Sequence, residues 1–256
     1  MTSGASEPLV LASIEGGVGT LRLNRADRRN AISADLATQL HAAIEALDAN
    51  DDVIAVIVMG SGGAFSAGAD MNESLAAYER GERRFNPAAE AAARVAASAK
   101  PTIAAIEGPA YGAGALLAGA CDIRIVSETA RFRFPGAEYG LVVGAVALPR
   151  LVGAALAKEL LFSGRVVEAQ EAVRIGLANR VVAPDQLEAE ARALAGEIAK
   201  ASPLALGWIK RVVDASVSGA DAAALEHAAD LVLRGGADNI TRFSAATQRV
   251  TGRGGN

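Results

Sequence analysis

The chain has 256 residues and a formal net charge of -4, and 51% of its residues are hydrophobic while only 4% are aromatic. These values favour a large core of aliphatic side chains and argue against the basic surface of a nucleic-acid-binding protein. Cys121 is the only cysteine, which rules out an intrachain disulfide, and no cluster of His and Cys residues indicates a metal site. Because no segment has the apolar length of a signal peptide or a membrane span, we expect a cytoplasmic protein.

The first half of the chain alternates strand and helix patterns. Two apolar runs, 9–14 and 18–23, flank a Glu-Gly-Gly turn and predict a β-hairpin. Ser33 is the predicted N-cap of a helix that has one apolar face, made by Leu36, Leu40, Ile44 and Leu47. A strand, a loop of small residues and a helix then follow twice, over 53–80 and 102–120. This recurrence suggests a structural repeat.

The second half of the chain changes in character. Short strands are predicted at 123–126, 131–134 and 180–182, with helices over 153–162 and 167–175. From Pro184 onward the pattern is almost entirely helical. The fold class is therefore α/β with a helical C-terminal part.

The first loop of small residues, from Gly60 to Asp70, offers mainly backbone groups to its surroundings. Amide N–H groups presented just ahead of a helix favour a carbonyl oxygen that is gaining negative charge. A tight strand-to-helix turn that needs glycine for positive φ explains the same composition. The loop taken alone leaves both interpretations open.

Four stretches, in order and at matching spacing, resemble the enoyl-CoA hydratase/isomerase, or crotonase, superfamily: Leu23 to Ala31, Phe65 to Asp70, Gly108 to Ile123 and Leu161 to Leu177. The resemblance implies a crotonase-like spiral of β-β-α repeats over residues 1–200, of which 1–8 are expected to be disordered. It implies a C-terminal helical region, 201–256, for trimer contacts. We accordingly expect a homotrimer or a dimer of trimers.

The resemblance also implies an acyl-CoA thioester as substrate, with no separate cofactor because coenzyme A is part of the substrate. In the family, two backbone N–H groups hold the thioester oxygen and stabilise an enolate, and the matching residues here are Ala69 and Ala113. The family's coenzyme A-binding positions match Arg25, Ala26, Ala67 and Asp70. The neighbouring arginines Arg22, Arg28 and Arg29 would favour phosphates, although a solvated turn explains Arg28 and Arg29 equally well.

This sequence departs from the family at its acid/base positions. The two glutamates that hydratases of the family use fall on Leu116 and Gly136, and a further acidic position of some isomerases falls on Gly144. None of these residues can exchange a proton. Glu138 is the nearest carboxylate and the candidate base, although a salt-bridged or solvent-facing glutamate is the more common explanation for such a residue. The lysine that the family often has after the C-terminal phenylalanine, here Phe243, is also missing.

The sequence is compatible with two functions. The first is an enoyl-CoA hydratase/isomerase-type enzyme, a lyase or isomerase, that stabilises a thioester enolate without the usual glutamates. The second is a non-catalytic acyl-CoA binding protein. A hydrolase nucleophile elbow at 64–68 lacks its first glycine, and a dinucleotide fingerprint at 112–117 has Leu117 in place of its third glycine, so neither is favoured.

Overall fold

The structure is a computed structural model that describes residues 7–82, 86–234 and 236–242. It divides into two compact units, Met1–Ala199 and Lys200–Asn256. Residues 1–6 of the segment predicted to be disordered, and Phe243, lie outside the described residues. Pro8, which belongs to that segment, accepts a hydrogen bond of 3.0 Å from the Asn24 side chain.

The first unit begins with the predicted hairpin. Strands β1 (Val10–Glu15) and β2 (Val18–Leu23) pair in antiparallel register, and Gly16 and Gly17 between them both have positive φ. Glycine adopts this conformation without steric penalty. The hairpin prediction is confirmed.

Parallel strands extend this hairpin into a six-stranded sheet. The added strands are, in order from β2, β3 (Ala55–Gly60), β4 (Thr102–Ile106), β6 (Ile123–Ser127) and β9 (Arg180–Val182). The central strands β3 and β4 are apolar and buried on both faces, as expected for a parallel sheet covered on both sides. Alternate residues of β3 therefore enter two separate cores.

Helices cover the two faces of the sheet. The larger core includes residues of α1 (Ala34–Asp48), α3 (Pro87–Ala96) and α4 (Ala113–Ala120), whereas α8 (Leu187–Ala199) packs on the opposite face. The Ser33 hydroxyl accepts the Leu36 N–H at 3.2 Å, so the predicted cap is confirmed. Leu36, Leu40 and Ile44 are fully buried, which confirms the predicted apolar face.

A small second sheet departs from the sequence-based assignment. It consists of β5 (Pro109–Tyr111), β7 (Arg131–Arg133) and β8 (Val167–Glu168). The sequence predicted a loop where β5 lies and a helix where β8 lies. Strands this short carry little periodicity of their own, and distant partners decide their conformation.

Shorter helices complete the first unit. These are α2 (Met71–Glu79), α5 (Leu148–Val152), α6 (Ala154–Ser163) and α7 (Ala169–Arg174). The sequence did not predict α5, which has only five residues. A short 3-10 helix, Gly136–Tyr139, follows β7.

The second unit is helical, with α9 (Pro203–Ser218) and α10 (Ala222–Leu233). Leu231, Val232 and Ile240 are largely exposed in the single chain. Their contact with another subunit stays a prediction. Within the described residues, each helix is too short or too polar to cross a bilayer.

Candidate functional site

The segment from Ser66 to Asp70 carries the first predicted amide donor. Ile32 donates its N–H to the Gly68 carbonyl at 2.7 Å and accepts the Asp70 N–H at 3.0 Å. These bonds use the groups on either side of Ala69, so the N–H and C=O of Ala69 itself point away from Ile32. Ala69 is half-buried, and its N–H takes no part in these hydrogen bonds to Ile32.

The second glycine-rich loop lies against the same segment. Ser66 donates its N–H to the Pro109 carbonyl and accepts the Tyr111 N–H, each at 3.0 Å. Gly68 has a φ of +103°, and a Cβ atom there would lie 2.7 Å from the Tyr111 carbonyl oxygen and 3.4 Å from the Ala113 nitrogen. The structure thus brings the two predicted donors, Ala69 and Ala113, to one place.

Ala113 is the first residue of α4, where a backbone N–H has no partner inside the helix. The preceding residue, Gly112, has a φ of +50° and donates its N–H to the Arg133 carbonyl at 2.8 Å. This bond fixes the entry of α4 relative to β7. The Ala113 N–H is consequently available at a helix N-terminus, where the helix dipole favours negative charge.

The predicted coenzyme A-binding residues are also brought together, but two of them bind each other. Arg25 donates to the Asp70 carboxylate at 2.7 Å and to the Ala31 carbonyl at 3.0 Å. Asp70 in turn accepts the N–H groups of Asn72 and Glu73 and caps α2. The positive charge of Arg25 is therefore already neutralised within the chain.

The other two positions lie beside this ion pair. Ala67 donates its N–H to the Arg29 carbonyl at 2.8 Å, and a Cβ atom at Gly62 would lie 2.7 Å from the Ala26 Cβ. The turn after β2 and the first glycine-rich loop thus pack directly on one another. A cavity of about 370 Å³ opens beside the Arg25–Asp70 pair, and the exposed Arg28 lines it.

The residues at the family's glutamate positions lie in an apolar cluster. A Cβ atom at Gly144 would lie 2.9 Å from Leu116 Cδ2, and one at Gly136 would lie 2.5 Å from Val143 Cγ2. Since Val143 and Gly144 are adjacent, these contacts link all three positions. Phe134 and Leu161 complete the cluster.

Glu138 forms an ion pair at the surface. Its Oε1 accepts a hydrogen bond from Arg133 Nη2, and the Arg133 Nε donates to the Gly164 carbonyl at 2.8 Å. The Glu138 side chain is 42% exposed. The position agrees with the salt-bridged alternative, and a role as base requires that Arg133 release the carboxylate.

Two buried polar residues near this site, Asn30 and Ser66, were not predicted from the sequence to have a role. Both are fully buried, and Asn30 is hydrogen-bonded to the loop that carries Ala69, whereas the Ser66 backbone also pairs with the loop that carries Ala113. The only local signal is an asparagine and a serine beside small residues, which is also typical of ordinary turns. Among the described residues, no group of three His, Cys, Asp or Glu side chains is placed to hold a metal ion.

The contact at Gly68 predicts a mutational effect. Gly68→Ala would place a methyl group against the Tyr111 carbonyl in a backbone region that glycine favours, so we expect a loss of about 2 kcal/mol or more in the free energy of unfolding. Urea titration measures this free energy of unfolding. Gly63→Ala is the control, because Gly63 also has positive φ but open space around its Cβ position. Equal losses in the two variants would contradict the close approach.

The Arg25–Asp70 pair predicts a pH dependence. Burial raises the pKa of Asp70, but hydrogen bonds from Arg25 and from the N–H groups of Glu73 and Asn72, together with the Arg25 charge, lower it overall from 3.8. Its stabilising contribution is therefore present above the unfolded-state pKa and is lost as pH falls through the lower folded-state value.

We expect Asp70→Asn to be less stable than the wild type at neutral pH and to lose less further stability on acidification below pH 4, since asparagine keeps the helix cap but not the charge. Urea titrations at a series of pH values measure this. Asp27→Asn, which changes an exposed carboxylate 3.6 Å from Arg28, is the control. Identical acid profiles for Asp70→Asn and wild type would contradict the interpretation.

The sequence of this chain is similar to those of known proteins. The sequence matches the family model of enoyl-CoA hydratase/isomerase over residues 13–239. It is 37% identical over 209 residues to the crotonyl-CoA hydratase of Syntrophomonas wolfei, covering 79% of each chain. It is 35% identical over 210 residues to the short-chain-enoyl-CoA hydratase of Clostridium acetobutylicum, covering 80% of each.

Solved structures agree with this relationship. The enoyl-CoA hydratase of Bacillus anthracis superposes with a TM-score of 0.88 at 29% sequence identity, covering 94% of this chain and 96% of that one. The prediction of a crotonase-like α/β fold with a helical C-terminal part is confirmed. The chain therefore belongs to the enoyl-CoA hydratase/isomerase family of enzymes.

Proposed function

We propose that the protein binds an acyl-CoA thioester and stabilises its enolate at the N–H groups of Ala69 and Ala113. The observation that carries this proposal is the contact between Gly68 and the loop residues Tyr111 and Ala113, which aligns two glycine-rich turns at one point. Relatives named crotonyl-CoA hydratase and short-chain-enoyl-CoA hydratase support the substrate class. Each such donor typically contributes about 3 kcal/mol to transition-state stabilisation.

The coenzyme A moiety would bind along the turn after β2, at Arg25, Ala26, Ala67 and Asp70. In this role the Arg25–Asp70 pair shapes the backbone, since each side chain already satisfies the charge of the other. Arg22 is similarly engaged, by Glu188 at 2.7 Å. Within the described residues Arg28 lines the cavity and lies 3.6 Å from Asp27, so we assign the phosphate contact to Arg28.

The proposed reaction does not use the two-glutamate mechanism of water addition. Leu116, Gly136 and Gly144 form an apolar cluster, and Glu138 is paired with Arg133. General acid/base groups typically contribute about 10²–10⁴-fold each, so their replacement makes conventional hydration weak or absent. Glu138 is the candidate base when Arg133 releases it. The same apolar cluster favours a second function, non-catalytic binding of acyl-CoA.

Calorimetry with crotonyl-CoA and butyryl-CoA, together with a hydration assay on crotonyl-CoA, tests these functions. We expect both thioesters to bind and hydration to be slow. Binding without turnover would favour the non-catalytic function for that substrate, and rapid hydration would contradict our account of the acid/base positions. If neither thioester binds, the acyl-CoA assignment is wrong. The proposed cytoplasmic location and trimeric assembly are separate from this test.

Installing glutamates tests where the reacting carbon lies. Leu116→Glu and Gly136→Glu should be combined with Val143→Ala, because Val143 Cγ2 occupies the space that a side chain at position 136 needs. We expect this triple variant to hydrate crotonyl-CoA at least about 10²-fold faster than wild type, as proton exchange becomes possible. Formation of 3-hydroxybutyryl-CoA is followed by chromatography.

The matched control carries glutamine at positions 116 and 136 in the same Val143→Ala background. Glutamine has nearly the shape of glutamate but cannot exchange a proton, so hydration should stay at the wild-type rate. If the glutamate variant folds and binds crotonyl-CoA but gains no activity over the glutamine variant, the proposed placement of the acyl group is wrong.

A further inference from the structure

Asn30 and Ser66 are buried polar residues that take no part in the proposed chemistry. Both are fully buried, Asn30 between the turn after β2 and the first glycine-rich loop, and Ser66 where the two glycine-rich loops meet. Buried polar groups require hydrogen-bond partners, and an unsatisfied one typically costs about 1–3 kcal/mol. Their partners therefore indicate which segments these side chains hold in place.

Asn30 connects the turn after β2 to the first glycine-rich loop. Its side-chain amide donates to the Ala64 carbonyl at 2.7 Å and to the Ser61 carbonyl at 2.9 Å, while its Oδ1 accepts the Arg25 N–H at 2.9 Å. Its φ of 55° is left-handed, a region that asparagine tolerates better than most residues. The Asn30 side chain thus holds Ser61 and Ala64, the first and last residues of a four-residue turn in this loop.

Ser66 continues this connection toward Ala69. Its hydroxyl donates to the Asn30 carbonyl at 2.8 Å and accepts the Gly68 N–H at 3.2 Å. Its backbone pairs with β5, and a Cβ atom at Gly114 would lie 2.4 Å from the Ser66 carbonyl oxygen. Ser66 is therefore in contact with both loops and one residue away from the peptide that carries the Ala69 N–H.

The hydrogen bond from Gly68 to Ser66 matters for the orientation of the Ala69 N–H because Gly68 is flexible. Glycine has no Cβ to restrict its backbone, so hydrogen bonds on either side must fix its conformation. Its N–H is held by Ser66 and its carbonyl by the Ile32 N–H at 2.7 Å. The Ile32 bond holds the peptide that carries the Ala69 N–H, and the Ser66 bond holds the peptide before it, so the two bonds together fix the backbone torsions of Gly68. Functional geometry of this kind has to be held within about 0.5 Å.

We propose that Ser66, held in place by Asn30, is a positioning residue that acts together with the Ile32 N–H to set the direction of the Ala69 N–H toward the thioester oxygen. This inference rests on the proposed function, because it assumes that the thioester carbonyl binds at Ala69. Neither side chain touches the substrate. Their effect on the carbonyl is exerted through the backbone of Gly68 and Ala69.

Infrared spectroscopy of butyryl-CoA labelled with ¹³C at the thioester carbonyl tests the inference. The saturated thioester has no double bond to hydrate, and hydrogen bonding to its oxygen lowers the carbonyl frequency. In Ser66→Ala we expect the frequency shift on binding to fall by about half or more, because a misdirected N–H bonds the oxygen poorly. Calorimetry should show a Kd within about threefold of wild type, since the coenzyme A contacts remain.

Asn30→Gly is the second variant and carries the test if Ser66→Ala does not fold. Glycine accepts the left-handed conformation of position 30 but removes the three side-chain bonds. We expect it to reduce the shift in the same direction. The double variant should lose less than the sum of the two single losses, because both act through one set of bonds.

Leu47→Ala is the stability control, since the buried Leu47 packs on Gly19 in β2 and should leave the shift at its wild-type value. A wild-type-like shift in both site variants would overturn the inference, as would an equal loss in Leu47→Ala. A more than tenfold loss of affinity for coenzyme A alone in Ser66→Ala would also overturn it. If wild-type protein produces no shift at all, the proposed function itself is wrong.

Discussion

The site depends on one constraint, which is that two backbone turns approach each other without side chains between them. Added Cβ atoms at Gly68, Gly108 and Gly114 would lie 2.7, 2.1 and 2.4 Å from carbonyl oxygens of the facing loop. Three separate glycines are thus required along one line of contact. Because the loops contact through backbone, the amides at Ala69 and Ala113 are placed by peptide geometry. This makes the proposed oxyanion site insensitive to the identity of the side chains at 69 and 113.

Carboxylates hold the helices around these turns in position. Asp70 caps α2 and pairs with Arg25, while Glu73, on the first turn of α2, accepts the Ala34 N–H at the start of α1 at 3.0 Å. Negative charge at a helix N-terminus is favourable, so both residues stabilise the local structure as well as its arrangement. The same interactions neutralise Arg25. In the arginine-rich turn after β2, the Arg25 side chain is therefore held by Asp70. Arg28 remains the exposed cation nearest the cavity.

The chemistry that this site can perform follows from what surrounds the two amides. Backbone N–H groups stabilise developing negative charge but neither add nor remove a proton, and the cluster of Leu116, Gly136 and Gly144 is apolar. The family relationship supports an enzyme, while the reaction it catalyses is decided at these few positions.

Much of this protein was predictable from its sequence because the signals are local. The hairpin, the Ser33 cap and the apolar face of α1 follow from turn residues, capping chemistry and periodicity, and the order of four short motifs identified the family. Only the tertiary structure decided that β5 is a strand, that Arg133 pairs with Glu138, and that Asn30 and Ser66 connect the turn after β2 to the glycine-rich loops. These features join residues that are distant in sequence or lie in segments too short to show a period. A local pattern carries no information about such partners, whose contacts form only when the whole chain has folded.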